Sequence, residues 1–228
     1  MTIAGSTSLI AKSLCDGLRN SDINKIYLIG RRKPEWANDH TNIEFIACDF
    51  SEQINLDEFF SSIHKDVDFS GLVYLPSAQF GRLKLTELAR SEVIETIQVS
   101  LINAILIVRS YSIVAPRSGS VVLFSSQAAN FGGNQISPYA AAKGGIESFV
   151  KGIARELGPL NIRINALSPG VINTETLAKY ATELVELTAA IPMGRLGSPQ
   201  DVTKAINWLM SKESEYMSGA IIALTGGR

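Results

Sequence analysis

Tyr139 and Lys143 stand four residues apart, a spacing that puts a phenol and an ammonium on one face of a helix. A cation beside a phenol stabilises the phenolate and draws the tyrosine pKa down from about 10. A tyrosine tuned in this way exchanges a proton with a carbonyl or hydroxyl oxygen near neutral pH. One such pair arises by chance about a quarter of the time in a chain of this composition, so the context has to carry the argument. Ser126 lies thirteen residues upstream, at the end of an apolar run of strand length, residues 121–124. Its hydroxyl can share a substrate oxygen with the phenol. Downstream, residues 165–174 leave another apolar run through Pro169-Gly170 and offer backbone groups and the Thr174 hydroxyl. His40 and His64 are the only histidines, so a Ser–His or Cys–His triad has little to draw on and no multi-histidine metal site is expected.

These residues need elements to hold them. Apolar runs of strand length alternate with helical spacings along the chain. Strands are expected at 1–4, 25–29, 43–48, 71–75, 121–124, 162–167 and 220–224. Leu56, Phe59, Phe60 and Ile63 fall on one helix face. Residues 92–108 read as a helix apolar almost all round, hence buried on more than one side. Ser137-Pro138 reads as a cap and first position of a helix running to Leu157 before Gly158-Pro159, and Ser198-Pro199 repeats the signal ahead of a helix through Trp208. Repeated strand–helix–strand order argues for an α/β fold: a mostly parallel sheet with helices on both faces, in one domain spanning 1–228. Such sheets bind ligands beyond the carboxyl ends of their strands.

Composition narrows the partners. The 228 residues are 46% apolar and 19% charged, with a net charge of −1. That is ample for a full core and gives no electrostatic case for nucleic acid or an anionic membrane surface. No uninterrupted apolar run, 104–108 included, approaches the roughly 20 residues needed to cross a bilayer. Residues 1–5 enter a strand and a glycine turn with no basic stretch, so no leader peptide is expected. Cys15 and Cys48 cannot make a disulfide framework. A cytoplasmic location is expected.

Ser126, Tyr139-Ala-Ala-Ala-Lys143 and Pro169-Gly170-Val171-Ile172-Asn173-Thr174 together resemble the short-chain dehydrogenase/reductase family. The resemblance covers nearly the whole chain, including residues 195–201, Ser218-Gly219 and Gly226-Gly227, and its flavour is similar to bacterial 3-oxoacyl-[acyl-carrier-protein] reductases. It implies a Rossmann-type, doubly wound sheet of about seven strands. It also implies hydride transfer between a nicotinamide cofactor and a carbonyl or secondary alcohol, with a 3-oxoacyl thioester as one candidate substrate. On that resemblance Tyr139 is the general acid/base, Lys143 lowers its pKa and holds the nicotinamide ribose, and Ser126 orients the substrate oxygen. Pro169, Gly170, Ile172 and Thr174 line the nicotinamide, Ile172 and Thr174 holding its carboxamide.

The chain departs from the family pattern in three places. Where the family has Gly-x-x-x-Gly-x-Gly, this chain has Gly5-Ser6-Thr7-Ser8-Leu9-Ile10-Ala11. The loop is either a phosphate cradle of helix-terminal amides and hydroxyls or a plain serine-rich turn. Where the family has Asn-Asn-Ala-Gly, this chain has Tyr74-Leu75-Pro76-Ser77, in which Pro76 lacks an amide donor; Pro76 and Ser77 should still pass the adenosine. Ser100 stands where a relay asparagine is usual, so a differently wired proton relay is expected, and Asn103 could be mistaken for that asparagine. The second strand ends Gly30-Arg31-Arg32-Lys33 without an acid, which favours NADP(H) over NAD(H), the latter still possible; the plain alternative is a solvated basic turn. Asp49, followed by Phe50, either meets the adenine or caps a helix.

Residues 175–191 resemble the family's substrate lid, and Gln127, Asn130, Phe131, Gln135 and Ile136 are expected to line the way in. Arg82, Lys84 and Arg117 are candidates to meet an acidic carrier, or are solvated surface bases. The resemblance also implies pairing of the 92–108 and 137–157 helices in a homodimer or homotetramer. The rival reading is a weakly active or non-catalytic dinucleotide-binding scaffold, motivated by Leu9, Tyr74–Ser77 and Ser100. A third is isomerase, dehydratase or sugar chemistry on the same fold.

Overall fold

A computed structural model describes residues 1–19, 21, 23–51, 60, 70–78, 81–115, 118–174 and 184–228. Seven strands form one parallel sheet: β1 (Thr2–Ala4), β2 (Ile26–Gly30), β3 (Ile43–Ala47), β4 (Gly71–Tyr74), β5 (Gly119–Phe124), β6 (Ile162–Pro169) and β7 (Ile221–Leu224). Their order is β3-β2-β1-β4-β5-β6-β7. Every expected strand is present, with ends shifted by one or two residues. The order reverses between β1 and β4, and that switch point opens the crevice where such sheets take ligands.

The alternation of side chains along each strand divides the core. On one face Ala4, Leu72, Tyr74, Val121 and Leu123 pack against Ile107, Tyr111, Ile146 and Val150. These come from α3 (Asn103–Val114) and α4 (Ser137–Leu157). On the other, Ile3, Val73 and Val122 pack against Ala11, Leu14, Val202, Ile206 and Leu209. These belong to α1 (Leu9–Gly17) and α6 (Pro199–Met210). The expected helix face at Leu56, Phe59 and Ile63 lies outside the described residues; Phe60 is buried. So do Arg117 and residues 175–183 of the expected lid, which is followed by α5 (Leu184–Ala189).

Two helix starts differ from expectation. Ser137 is not the cap of α4 but its first residue; the cap position is Ile136, with no side-chain bond. The helix expected over 92–108 begins at Arg90 as α2 (Arg90–Ile97), passes through a π-helical turn (Gln98–Ile102) and continues as α3 to Val114. Long-range bonds hold that turn. The Tyr74 phenol donates to the Val99 carbonyl at 2.6 Å, and the Asn103 amide donates to the Phe50 carbonyl. Residues 90–114 are long and apolar enough to cross a bilayer by composition alone. Yet Ser100, Asn103 and Ser110 are buried against the protein.

At α6 the cap is as the sequence reads. Ser198 Oγ accepts from the Asp201 amide at 3.1 Å, and Asp201 accepts in return from the Ser198 amide at 2.9 Å. Ser198→Ala should cost about 1 kcal/mol, read as a lower midpoint in urea unfolding.

Candidate active site

The carboxyl ends of the strands gather the residues singled out above. Tyr139 lies in the first turn of α4, half-buried, with the Ser126 and Ser77 side chains near enough to favour its phenolate. Ser126 lies two residues beyond β5 and accepts from the Ala128 amide at 3.2 Å, which fixes its oxygen near the strand end. Lys143, one turn on, is 3% exposed. Its Nζ donates to the Phe124 carbonyl at 2.8 Å and stands 5.5 Å from the centre of the Tyr139 ring. Ser125 is buried beneath, donating to Glu147 Oε1 at 2.7 Å, so the start of α4 is tied to β5 at several points.

The electrostatics correct one expectation. The Tyr139 phenol is not drawn below its ordinary pKa in this structure: burial pushes it up, and the Ser126 and Ser77 hydroxyls oppose that push only in part. Lys143 is itself lowered to about 8 by burial, with its ammonium directed at a carbonyl.

The relay position is also visible. Ser100, on the π turn, is buried; its Oγ accepts from the Ala78 amide at 3.2 Å and lies 3.2 Å from Ser77 Oγ. Asn103 faces elsewhere, accepting from Gln98 Nε2 at 2.9 Å.

A small, open pocket lies beside Tyr139, walled by Leu88, Ile136 and Pro138, with Glu92, Thr96 and Gln135 as its polar members. Gln135 and Ile136 therefore lie where expected. Gln127 does not: its amide donates to the Ser168 carbonyl and hydroxyl, turning it toward β6. It lines a separate cleft with Asn130, Glu147 and Lys151. Phe131 is 79% exposed and bounds neither. Lys84 is paired with Glu87 at 3.8 Å.

The loop after β1 keeps its tight turn. Gly5 has φ +100°, and a Cβ there would come 2.9 Å from Leu75 Cβ. The Gly5 and Ser6 amides donate to the Ile29 carbonyl. Ser6 is buried and donates to the Arg32 carbonyl at 2.9 Å; a Cβ on Gly30 would overlap that hydroxyl. Ser8 caps α1, accepting from the Ile10 amide at 3.1 Å. The Ser6 hydroxyl is thus engaged with the Arg32 carbonyl, and the Ser8 oxygen with the first turn of α1. Thr7 is exposed, and among the described residues the Thr7 and Leu9 amides find no acceptor. Two unpaired amides at a helix N-terminus fit a phosphate group, with Leu9 half-buried as the first residue of α1.

Arg31, Arg32 and Lys33 are exposed at the end of β2. The Ser51 amide and hydroxyl hold the Asp49 carboxyl below its ordinary range, and Arg31 adds to that. Asp49 thus makes a local turn with Ser51 rather than a cap the described residues show. Phe50 is buried, edge-on to Tyr74 at 5.4 Å, so its ring belongs to the core. Pro169, Gly170, Ile172 and Thr174 leave β6 at the same edge, Gly170 donating to the Leu224 carbonyl and Ile172 bridging to Gly197. Cys15 and Cys48 are pushed to about 12 and about 11 by burial, so neither is a ready nucleophile.

A family model described as Enoyl-(Acyl carrier protein) reductase matches residues 27–228. The chain belongs to the short-chain dehydrogenase/reductase family. Membership makes it a nicotinamide-dependent oxidoreductase. Among the relatives of this short-chain dehydrogenase/reductase, the uncharacterized oxidoreductase YmfI of Bacillus subtilis (strain 168) is 32% identical over 189 residues, 82% of this chain and 77% of that protein. The 3-oxoacyl-[acyl-carrier-protein] reductase FabG of Chlamydia muridarum is 35% identical over 146 residues, 64% of this chain but only 58% of that enzyme. The aldohexose dehydrogenase of Thermoplasma acidophilum shares the fold, with a TM-score of 0.89 at 23% identity over 99% of this chain and 92% of that one. ElxO with NADP bound does too, with a TM-score of 0.87 at 23% identity over 99% and 96%.

Proposed function

We propose that the chain is an NADP(H)-preferring carbonyl reductase, with a 3-oxoacyl thioester as its substrate class. The observation that carries the reading is the convergence of Ser126, Tyr139 and Lys143 at the switch-point edge, beside a small pocket with apolar walls. A nicotinamide dinucleotide bound along this edge supplies the hydride. The Thr7 and Leu9 amides would hold its phosphates, Arg31 and Arg32 its 2′-phosphate, Asp49 and the turn at Pro76-Ser77 its adenosine, and Lys143, Ile172 and Thr174 its nicotinamide half. Tyr139 gives a proton to the substrate oxygen, and Ser126 orients that oxygen. The FabG relatives support the thioester class, and ElxO shows that this fold can hold NADP.

The exposed Ile94, Ile102, Leu106 and Ile113 along residues 90–114 support association of copies of this chain into a homodimer or homotetramer. Two unpaired cysteines accord with a reducing cytoplasm. We take residues 1–228 as one catalytic unit with 175–191 as its lid.

Titration with NADPH and NADH, followed by nucleotide fluorescence, tests the reading. Micromolar NADPH binding with much weaker NADH binding is expected. Arg31→Ala should weaken NADPH about tenfold and leave NADH unchanged. Binding of neither nucleotide would turn the assignment to the scaffold reading, with Leu9 closing the phosphate site.

A further inference from the structure

The pocket beside Tyr139 has a charge built into its wall. Among the described residues that line it, Glu92 carries a carboxylate and none is a lysine, arginine or histidine. Glu92 is the third residue of α2, and its Oε2 accepts from the Ala89 amide at 2.9 Å. That reach-back bond closes the helix N-terminus, so the carboxylate cannot swing away without uncapping α2. The other polar members are neutral. Thr96, one turn further along α2, is buried, and Gln135 brings an amide. Gln135 is held in the left-handed region at φ +62°, where its carbonyl accepts from the Leu83 amide at 3.0 Å. A conformation so sparsely populated by residues other than glycine persists because such bonds fix it. Both sides of the polar wall are thus pinned through the backbone. Arg82 and Lys84 are exposed and do not line the pocket.

We propose that Glu92 is a specificity-determining residue, which rejects ketones that carry a carboxylate beside the reacting carbonyl and admits their neutral thioesters, esters and amides. The inference deepens the oxidoreductase reading above and rests on it. A free 3-oxo acid holds its carboxylate a single methylene from the ketone. With the ketone oxygen at Tyr139, that carboxylate enters the same small pocket and faces Glu92, and no cation among the described lining residues offsets either charge. Like charges brought together cost free energy, and an unpaired charge is one of the ways a site turns away the wrong ligand. A thioester carbonyl in the same place is neutral, and the Thr96 hydroxyl and Gln135 amide are groups of the kind that bond it.

Acetoacetate and ethyl acetoacetate provide the test, since they share the ketone and differ in the charge beside it. The readout is the ratio of kcat/KM for the anion to that for the ester, with NADPH, in wild type and in Glu92→Gln. Glutamine keeps an oxygen to accept from Ala89, so the cap is retained, and the intrinsic reactivities of the two ketones cancel between the proteins. The ratio should rise about tenfold in Glu92→Gln, the α2 N-terminus already offsetting part of the charge in wild type. Added salt should raise the ratio in wild type and leave it unchanged in Glu92→Gln. Saturation-transfer NMR on the protein without cofactor measures binding of the same two compounds, and acetoacetate should gain on the ester in Glu92→Gln there too. A ratio that Glu92→Gln does not change overturns the proposal, as does failure of both compounds to bind or react. If neither is reduced but Glu92→Gln still favours acetoacetate in binding, Glu92 keeps its role and the oxidoreductase reading falls instead.

Discussion

In Tyr139→Phe, kcat for ketone reduction is expected to fall about a thousandfold while NADPH affinity stays at its wild-type value. The substitution removes one oxygen and keeps the ring, so the start of α4 should retain its packing. The neighbours cannot replace the lost proton. Ser126 and Ser77 are alkyl hydroxyls, far weaker acids than a phenol, and Lys143 has its Nζ on the Phe124 carbonyl. Among the described residues lining the pocket beside Tyr139, Glu92 is the only other titratable side chain, and that carboxylate accepts from the Ala89 amide at 2.9 Å. Steady-state turnover measured beside fluorescence titration separates the two effects. Wild-type turnover in the variant would remove Tyr139 from the acid/base role; lost NADPH affinity would mean that the phenol holds the nucleotide rather than the reacting oxygen.

How much of this was legible beforehand follows from the range of each interaction. The strands were legible because burial on both faces of a parallel sheet leaves short, nearly continuous apolar runs such as Val121–Phe124, where β5 was found as Gly119–Phe124. The cap at Ser198 was legible because it is made within four residues. The π turn was not. Tyr74 and Val99, which pin it, are 25 residues apart, and residues 98–102 carry no local signal for an inserted residue.

The site divides in the same way. The spacing of Tyr139 and Lys143 correctly puts them on one face, but it says nothing of which acceptor the ammonium takes. The Phe124 carbonyl, nineteen residues away, decided that. Gln127 follows Ser126 in sequence yet turns to Ser168 on the neighbouring strand, a choice only the β5–β6 pairing makes. Ser77 was legible as a departure near the cofactor. Its 3.2 Å approach to Ser100 was not, because the two stand 23 residues apart.

Lys143→Met should change the pH dependence of stability more than any surface substitution. Folded, Lys143 binds its proton less tightly than the free side chain, at about 8 against 10.5. Between those values the unfolded chain carries more protons than the folded one, so this group makes stability rise with pH, and the gain is complete only above 10.5. Below 8 the folded protein holds a buried ammonium at a cost of roughly 3 kcal/mol. Methionine has similar length and no charge, and it leaves the Phe124 carbonyl without its donor at every pH. The stability of the variant relative to wild type should therefore fall by roughly 3 kcal/mol as pH goes from 8 to 10.5. Urea unfolding of both proteins across that range reads the difference directly, since groups common to the two cancel. A constant difference would show that Lys143 titrates as a solvated lysine and that its burial is not maintained in solution. The expected trend would mean that a charge costly to the fold is kept at this position, the pattern of a residue retained for the site and not for the core.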